Sequence, residues 1–227
     1  MAKKNSKRYR QALEKIPGDP VPVAQAVEIV KSFPSGKFDP TIELAMHLGI
    51  DPRQADQGIR GSISLKHGIG ATRRVIAFCE GDDVEKASAA GAVEAGLDEL
   101  VAKVQKGWMD FDVAVATPAS MKSVAKLGRI LGPQGKMPSP KAGTVADDVA
   151  QAVQEYSAGK VEYRNDDGGN LHVPMGKQSF DLQKLVDNIE EFIAHVKKLR
   201  PASTKGTYIK KITLAATMSP GVRIEVA

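Results

Sequence analysis

The chain has 227 residues, 42% of them hydrophobic and 26% charged, and a formal net charge of +5 at pH 7. That composition excludes wholesale disorder, and no apolar run approaches the ~20 residues of a membrane span. One cysteine, Cys79, excludes an intramolecular disulfide and a multi-cysteine zinc site, and the basic N-terminus is followed by no apolar stretch; a reducing, cytoplasmic setting with no membrane partner is expected.

The first sixty-seven residues open with a basic segment, 3–15. Pro22-Val23 then starts a helix with Val23, Val27, Val30 and Phe33 on one side, and Pro34 stops it, because proline fits a first helical turn and breaks later ones. Two runs of period two follow. Ile42, Leu44, Met46 and Leu48 alternate with Glu43, Ala45 and His47, and Ile59, Gly61, Ile63 and Leu65 interleave with polar residues. Both patterns predict half-buried strands.

From residue 68 the style changes. Val75-Ile76-Ala77-Phe78 and Val113-Ala114-Val115-Ala116 are continuous apolar runs, followed by helix-like segments over 83–90 and 118–127. The segment 97–106 is also helical in pattern, and Thr144 with Asp147 predicts the capped start of a helix ending near Gly159. Apolar strands alternating with helices imply a small parallel sheet covered on both faces. After residue 159 the alternating style returns. Strands over 161–165 and 171–173 flank Asp166-Asp167-Gly168-Gly169, a hairpin signal. Apolar residues recur at helical spacing from Leu182 to Leu199, and further strands are predicted over 208–214 and 222–226. The economical fold is two-domain α/β and α+β: a discontinuous α+β domain (1–67 and 160–227) with an antiparallel-type sheet, and an α/β domain (68–159) inserted into it. Gly68, Gly70 and Gly159 at the crossings would permit a hinge.

The charge map follows the same partition. Residues 1–67 carry 11 basic and 7 acidic side chains, 160–227 carry 11 and 8, and 68–159 carry 10 and 12. Within the acidic centre, 117–146 holds five basic residues and no acid. Patchy basic charge points to a polyanionic partner, most often nucleic acid, although a solvated surface would carry it equally well.

Catalytic signatures are missing. Gly135-Lys136 lacks both the earlier glycine and the Ser/Thr of a phosphate-binding P-loop. Only Gly81 follows the first apolar strand, among acids that would repel a pyrophosphate. The four histidines, His47, His67, His172 and His195, have no metal-ligand spacing. Cys79 sits beside Glu80, Asp82 and Asp83, which would raise its thiol pKa. A small-molecule or nucleotide-binding α/β enzyme, with a pocket near Gly81 or Thr117, is the alternative that these absences count against. A general single-strand binder would want more stacking rings than the 5% aromatic content supplies.

The segment from Leu127 to Val145 packs four glycines and three prolines, with Arg129, Lys136 and Lys141, into nineteen positions. It cannot be helix or central strand through its middle, and predicts a rigid basic loop with amides free to meet phosphate. Its run LGRILGPQGKMPSPKAGTV resembles the signature of the ribosomal protein L-one family. The resemblance covers essentially the whole chain, through Lys37-Phe38-Asp39, Asp51-Pro52-Arg53, Arg60-Gly61, Gly107-Trp108-Met109-Asp110-Phe111-Asp112, Val115-Ala116-Thr117-Pro118, Arg164-Asn165-Asp166, Asp187-Asn188-Ile189 and Thr217-Met218.

The resemblance implies that the inserted domain is Rossmann-like without its cofactor, and that the protein is no enzyme and uses no cofactor or metal. It implies that the discontinuous domain binds 23S rRNA of the large ribosomal subunit, forming the mobile stalk involved in release of E-site tRNA. Bacterial members also repress translation by binding the mRNA of their own operon. The expectation is a ribosome-associated protein that is monomeric when free. By the same resemblance Lys37, Phe38 and Thr41 face RNA, the lysine meeting phosphate and the ring and hydroxyl meeting sugar or an unstacked base. Thr217 and Met218 begin a turn used for close RNA contact. Ser219 stands where the family usually has glycine, so a left-handed backbone there would be strained, or the hydroxyl would add a donor. His172 and Ser179 fall in the matching hairpin and following loop. Arg129, Lys136 and Lys141 form a secondary basic loop that either meets tRNA or other ribosomal elements, or serves packing through its glycines and prolines.

Overall fold

The computed structural model describes residues 6–34, 36–54 and 56–226; Lys3 and Lys4 of the basic N-terminal segment lie outside them. The chain divides into two compact units, one of residues up to Gly70 and from Glu162 onward, the other Ala71–Val161.

The first unit begins with α1 (Lys7–Glu14), α2 (Val23–Lys31), β1 (Thr41–Leu48) and β2 (Arg60–Ile63). The chain returns to it along β6 (Val161–Arg164), then forms β7 (Asn170–Lys177), α8 (Leu182–Lys198), β8 (Ile209–Ala216) and β9 (Val222–Ile224). β1 is central, with antiparallel neighbours β7 and β8 on its two sides, and β9 beyond β8. Period-two alternation decides its faces: Ile42, Leu44, Met46 and Leu48 are buried, whereas Thr41, Ala45 and His47 are half-buried and Glu43 is exposed. α2 and α8 pack together and against this sheet, supplying Val27, Val30, Leu185, Ile189 and Phe192 to the core. β2 and β6 form a separate two-stranded sheet, and Tyr163 on β6 packs edge-on to Phe192 at 5.6 Å and hydrogen-bonds His195 at 2.7 Å.

In the second unit β3 (Val75–Phe78), β4 (Glu94–Gly96) and β5 (Val113–Ala116) make a parallel sheet in the order β4-β3-β5. All four residues of β3 and of β5 are buried because both faces are covered. One face packs on α3 (Asp82–Ala89) and α7 (Val149–Ser157), through Val75, Ala77, Val115, Val153 and Tyr156. The other packs residues of α4 (Asp98–Gln105), α5 (Met121–Val124) and α6 (Gly128–Leu131), through Ile76, Phe78, Leu100, Val104, Val124 and Leu131.

Three expectations need correction, and two elements lie outside them. The Asp166–Gly169 turn exists, with Asp166 Oδ1 accepting from the amides of Gly168 at 2.9 Å and Asn170 at 2.7 Å. Its flanking strands do not pair as a hairpin: β6 joins β2, β7 joins β1, and the chain changes sheets at the turn. Asn165 helps force this by exchanging two hydrogen bonds with Ile59, from its own amide at 3.0 Å and to its side-chain oxygen at 2.7 Å. The cap of α7 is Asp148, which accepts from Gln151 N at 3.0 Å; Thr144 Oγ1 instead accepts from Ser139 N at 2.8 Å. The helix expected over 118–127 starts only at Met121, after a turn in which Ser120 donates to Phe78 O at 2.7 Å, and it tightens to a 3-10 turn at Ala125–Leu127. β4 was not anticipated, since three residues with a single short apolar side chain give no periodic signal; α1, within the basic segment, was also not assigned as a helix.

Asn188 holds the outgoing end of the first unit. Fully buried on α8, it accepts from His67 N at 3.2 Å and donates to Gly68 O at 3.0 Å and Met175 O at 2.9 Å. Asn188→Ala strands three backbone groups at once, and should cost about 2–3 kcal/mol in urea unfolding. A loss below about 0.5 kcal/mol would show that these groups find other partners.

Candidate nucleic-acid interface

Because β1 and β8 pair through Ile42↔Ala216, the loop before β1 and the turn after β8 are neighbours. Thr41 and Thr217 lock them together. Thr217 N donates to Thr41 O at 3.0 Å, and Thr41 N donates back to Thr217 Oγ1 at 3.1 Å. Lys177 Nζ donates to Thr41 Oγ1 at 2.9 Å, so that hydroxyl already holds a cation. Phe38 stands 46% exposed and Lys37 is exposed beside it. Ser179 is drawn in from the far end of β7: its hydroxyl donates to Asp39 Oδ2 at 2.6 Å and its amide to Asp39 Oδ1 at 3.2 Å. Ser179 therefore positions the 37–40 loop rather than offering a free donor.

The turn itself answers the question raised at Ser219. The left-handed residue is Met218, with φ +65°, the one non-glycine with positive φ among the described residues. Ser219 N donates to Ala216 O at 2.9 Å, and Ser219 Oγ accepts from Ala216 N at 2.9 Å, closing the turn from both sides. A positive φ at the third position is what a type II turn demands, and glycine or asparagine ordinarily supplies it. Here methionine does, and its side chain is 72% exposed. Strain and exposed apolar surface thus coincide at one residue.

Lys37, Phe38, Thr41, Ser179, Thr217, Met218 and Ser219 consequently meet around one end of the sheet. His172 does not join them. It faces Ala45 across β1, four residues and roughly 13 Å along the strand from Thr41, and lies exposed 3.9 Å from Asp166. Hydrogen bonds from the Asn170 side chain and backbone, then from Gly168 N, hold the Asp166 carboxyl below its usual range, with the His172 charge adding to them. The sequence also missed two residues of α1, Arg8 and Tyr9, which line the cleft between Phe38 and Met218. Their signal was only a basic segment with no periodicity linking it to the site.

The basic loop of the second unit divides. Arg129 and Lys141 are exposed, and no acid pairs with either among the described residues. Lys136 turns inward, donating to Phe111 O at 2.5 Å and Met109 O at 3.3 Å and lying 4.8 Å from the Phe111 ring centroid. The loop is less open than its proline and glycine content predicted, since its first residues form α6. Gly132 is needed there for room: a Cβ would come within 2.5 Å of Gly128 O. Tyr156 Oη donates to Ala142 O at 2.6 Å, pinning the loop's far end.

The opening at the ends of β3 and β5 is lined by Glu80, Asp83 and Asp147 with Thr117 and Ser120. Asp83 is paired with Lys86 at 3.0 Å, but no cation lines the opening itself, and a lining of three carboxylates suits no phosphate-bearing ligand. Burial, with the Asp83 charge behind it, pushes the Cys79 thiol up, against a nucleophilic role.

A sequence model of the ribosomal protein L1p/L10e family matches residues 30–220. Among similar proteins is the large ribosomal subunit protein uL1 of Kosmotoga olearia, 49% identical over 98% of this chain and 96% of that protein. The chain belongs to the ribosomal protein L1p/L10e family. It is an rRNA-binding ribosomal protein and not an enzyme, which retires the small-molecule reading.

Two outcomes follow from this geometry. Met218→Gly relieves the left-handed backbone and should leave stability unchanged or raise it by up to about 1 kcal/mol in thermal unfolding; a clear loss would mean that the side chain packs. The Asp166 carboxyl has a folded pKa below its reference of 3.8, so its stabilisation is complete above that reference and fades as pH falls through the lower folded value. The stability gap between the parent chain and Asp166→Asn should therefore narrow as pH falls below that reference, and a gap constant with pH would contradict the assignment.

Proposed function

We propose that this chain is a structural protein of the large ribosomal subunit whose discontinuous unit binds 23S rRNA directly, at the mobile stalk involved in release of E-site tRNA. The observation that carries this reading is the cluster at the end of β1 and β8. It sets an exposed ring at Phe38, an exposed cation at Lys37, an exposed left-handed Met218 and the Thr41–Thr217 backbone within one surface. Such a surface offers a cation for phosphate and apolar groups for an unstacked base or sugar, the means by which folded RNA is distinguished from a uniform duplex. The name of the Kosmotoga relative places that protein in the large subunit, and 49% identity over nearly the whole chain supports the same assignment here.

The same surface serves a second target in this reading. RNA recognised by shape can be presented by a messenger, so the protein also represses translation of its own operon by binding its mRNA. The inserted, Rossmann-like unit contributes Arg129 and Lys141 to contacts with E-site tRNA or neighbouring ribosomal elements, while Lys136 keeps a packing role. The protein works on cytoplasmic ribosomes and is monomeric when free.

Binding of the full chain to a folded stalk fragment of large-subunit rRNA, with a scrambled RNA as control, tests the reading. Affinity for the fragment should exceed that for the control by at least about a hundredfold. Each phosphate contact should add roughly 0.7–0.9 to the slope of log affinity against log salt. Phe38→Ala should weaken fragment binding roughly tenfold with little change in that slope, since it removes stacking and no charge. Equal affinity for both RNAs would sink the proposal.

A further inference from the structure

Helix α1 contributes a part of the cleft that neither the family resemblance nor the strand pairing assigns. Its C-terminal half is anchored: Ala12 is 2% exposed, and Lys15 Nζ donates to Ser32 O at 2.8 Å. Ser6 caps its start by accepting from Tyr9 N at 3.2 Å. One turn before Ala12, Arg8 and Tyr9 are half-buried and line the same cleft as Thr217 and Met218. The position that a Cβ on Gly36 would take lies 3.1 Å from an Arg8 guanidinium nitrogen and 3.3 Å from a ring carbon of Phe38. The guanidinium and the exposed ring therefore flank the same glycine, and the missing side chain is what lets them approach.

Among the described residues nothing uses that charge. Among the described residues no acid pairs with Arg8, nor with Lys7, Arg10 or Lys37 around it. Asp39, the carboxylate closest in sequence to the ring, is occupied by Ser179. Arginine is suited to a particular occupant here, because its planar fork meets two phosphate oxygens at once while its face remains beside an aromatic ring. A cleft lined by the Arg8 guanidinium and by the exposed apolar groups Phe38 and Met218 fits a nucleotide in an irregular strand, its phosphate on the guanidinium and its base or sugar on the ring.

We propose that Arg8, presented by α1, is a phosphate-binding residue of the RNA site and acts with Phe38 on one nucleotide of the bound RNA. The inference rests on the RNA-binding reading above and adds to it a wall of the site that comes from outside the sheet. Tyr9 and Ala12 position it: they seat α1 so that Arg8 reaches the cleft, whereas Arg10, exposed on the same helix, is absent from its lining.

The test uses the full chain with the folded stalk fragment and the scrambled RNA, comparing Arg8→Gln, Arg8→Lys and Arg10→Gln over a salt series. Arg8→Gln should weaken fragment binding about tenfold and reduce the salt slope by about 0.7–0.9, one phosphate contact. Arg8→Lys should recover the slope but only part of the affinity, because the point charge remains and the fork is lost. Arg10→Gln should lose less than about threefold. A double variant, Arg8→Gln with Phe38→Ala, should lose less than the product of the single losses, since both act on one nucleotide. Thermal unfolding of Arg8→Gln should match the parent, as no partner is lost. Unchanged affinity and slope in Arg8→Gln would overturn the inference while leaving fragment-specific binding intact. Equal losses for Arg8→Gln and Arg10→Gln would also overturn it, since diffuse helix charge would then account for the effect. Failure of the parent chain to distinguish the two RNAs would remove the RNA-binding reading itself, and this inference with it.

Discussion

The antiparallel pairing of β1 between β7 and β8 is the constraint on which the candidate site depends. Thr41 and Thr217, 176 positions apart, exchange backbone and hydroxyl hydrogen bonds at the end of that pairing. Closing so long a connection is entropically cheaper than it looks, because the cost grows only with the logarithm of its length. A whole second unit can therefore sit between β1 and its partners with little penalty to the sheet. The expense falls on kinetics, since non-local pairing must form before its contacts repay the ordered chain. Once formed, the pairing fixes two otherwise independent loops side by side, with every strand hydrogen bond behind them acting as support.

Burial, charge and strain are distributed in keeping with that arrangement. The face of the sheet under α2 and α8 is filled by Leu, Ile, Val, Met and Phe, and the buried amide of Asn188 is hydrogen-bonded to three backbone groups. The exposed apolar groups Phe38 and Met218 flank the cleft, where Met218 also carries the unfavourable backbone. In the second unit the opposite holds. The strand ends that would make a nucleotide pocket in an α/β sheet are lined by carboxylates, and Lys136 spends its charge on backbone carbonyls of its own unit. The two units share a chain but not a chemistry.

The elements that could be read from sequence are those whose burial pattern is uniform along their length. The period-two run of β1, the wholly apolar β3 and β5, and the long amphipathic α8 each announce how many of their faces are buried. Legibility failed where partners decide. Asp166-Asp167-Gly168-Gly169 encodes a turn, but a turn signal cannot say that the two strands leaving it will join different sheets. Thr144, Asp147 and Asp148 are all competent to cap, and the loop hydrogen bonds of Ser139 and Thr144 leave the role to Asp148. For the site, the residues near Thr41 and Thr217 were legible only by resemblance to a family. His172 was grouped with them, although strand register sets it well away.

The sequence by itself determined the local alphabet of this protein: which segments alternate, which are apolar throughout, where proline and glycine forbid regular structure, and how charge is shared along the chain. Each of these is a property of a residue and its near neighbours. The tertiary structure alone decided which segments became neighbours. It placed left-handed strain on Met218 rather than on Ser219, because hydrogen bonds from both sides of Ser219 close the turn there. It turned Lys136 inward, left Arg129 and Lys141 outside, and brought Arg8 to Phe38 across the open side of Gly36. Those outcomes depend on distances between residues far apart in the chain, which only folding sets.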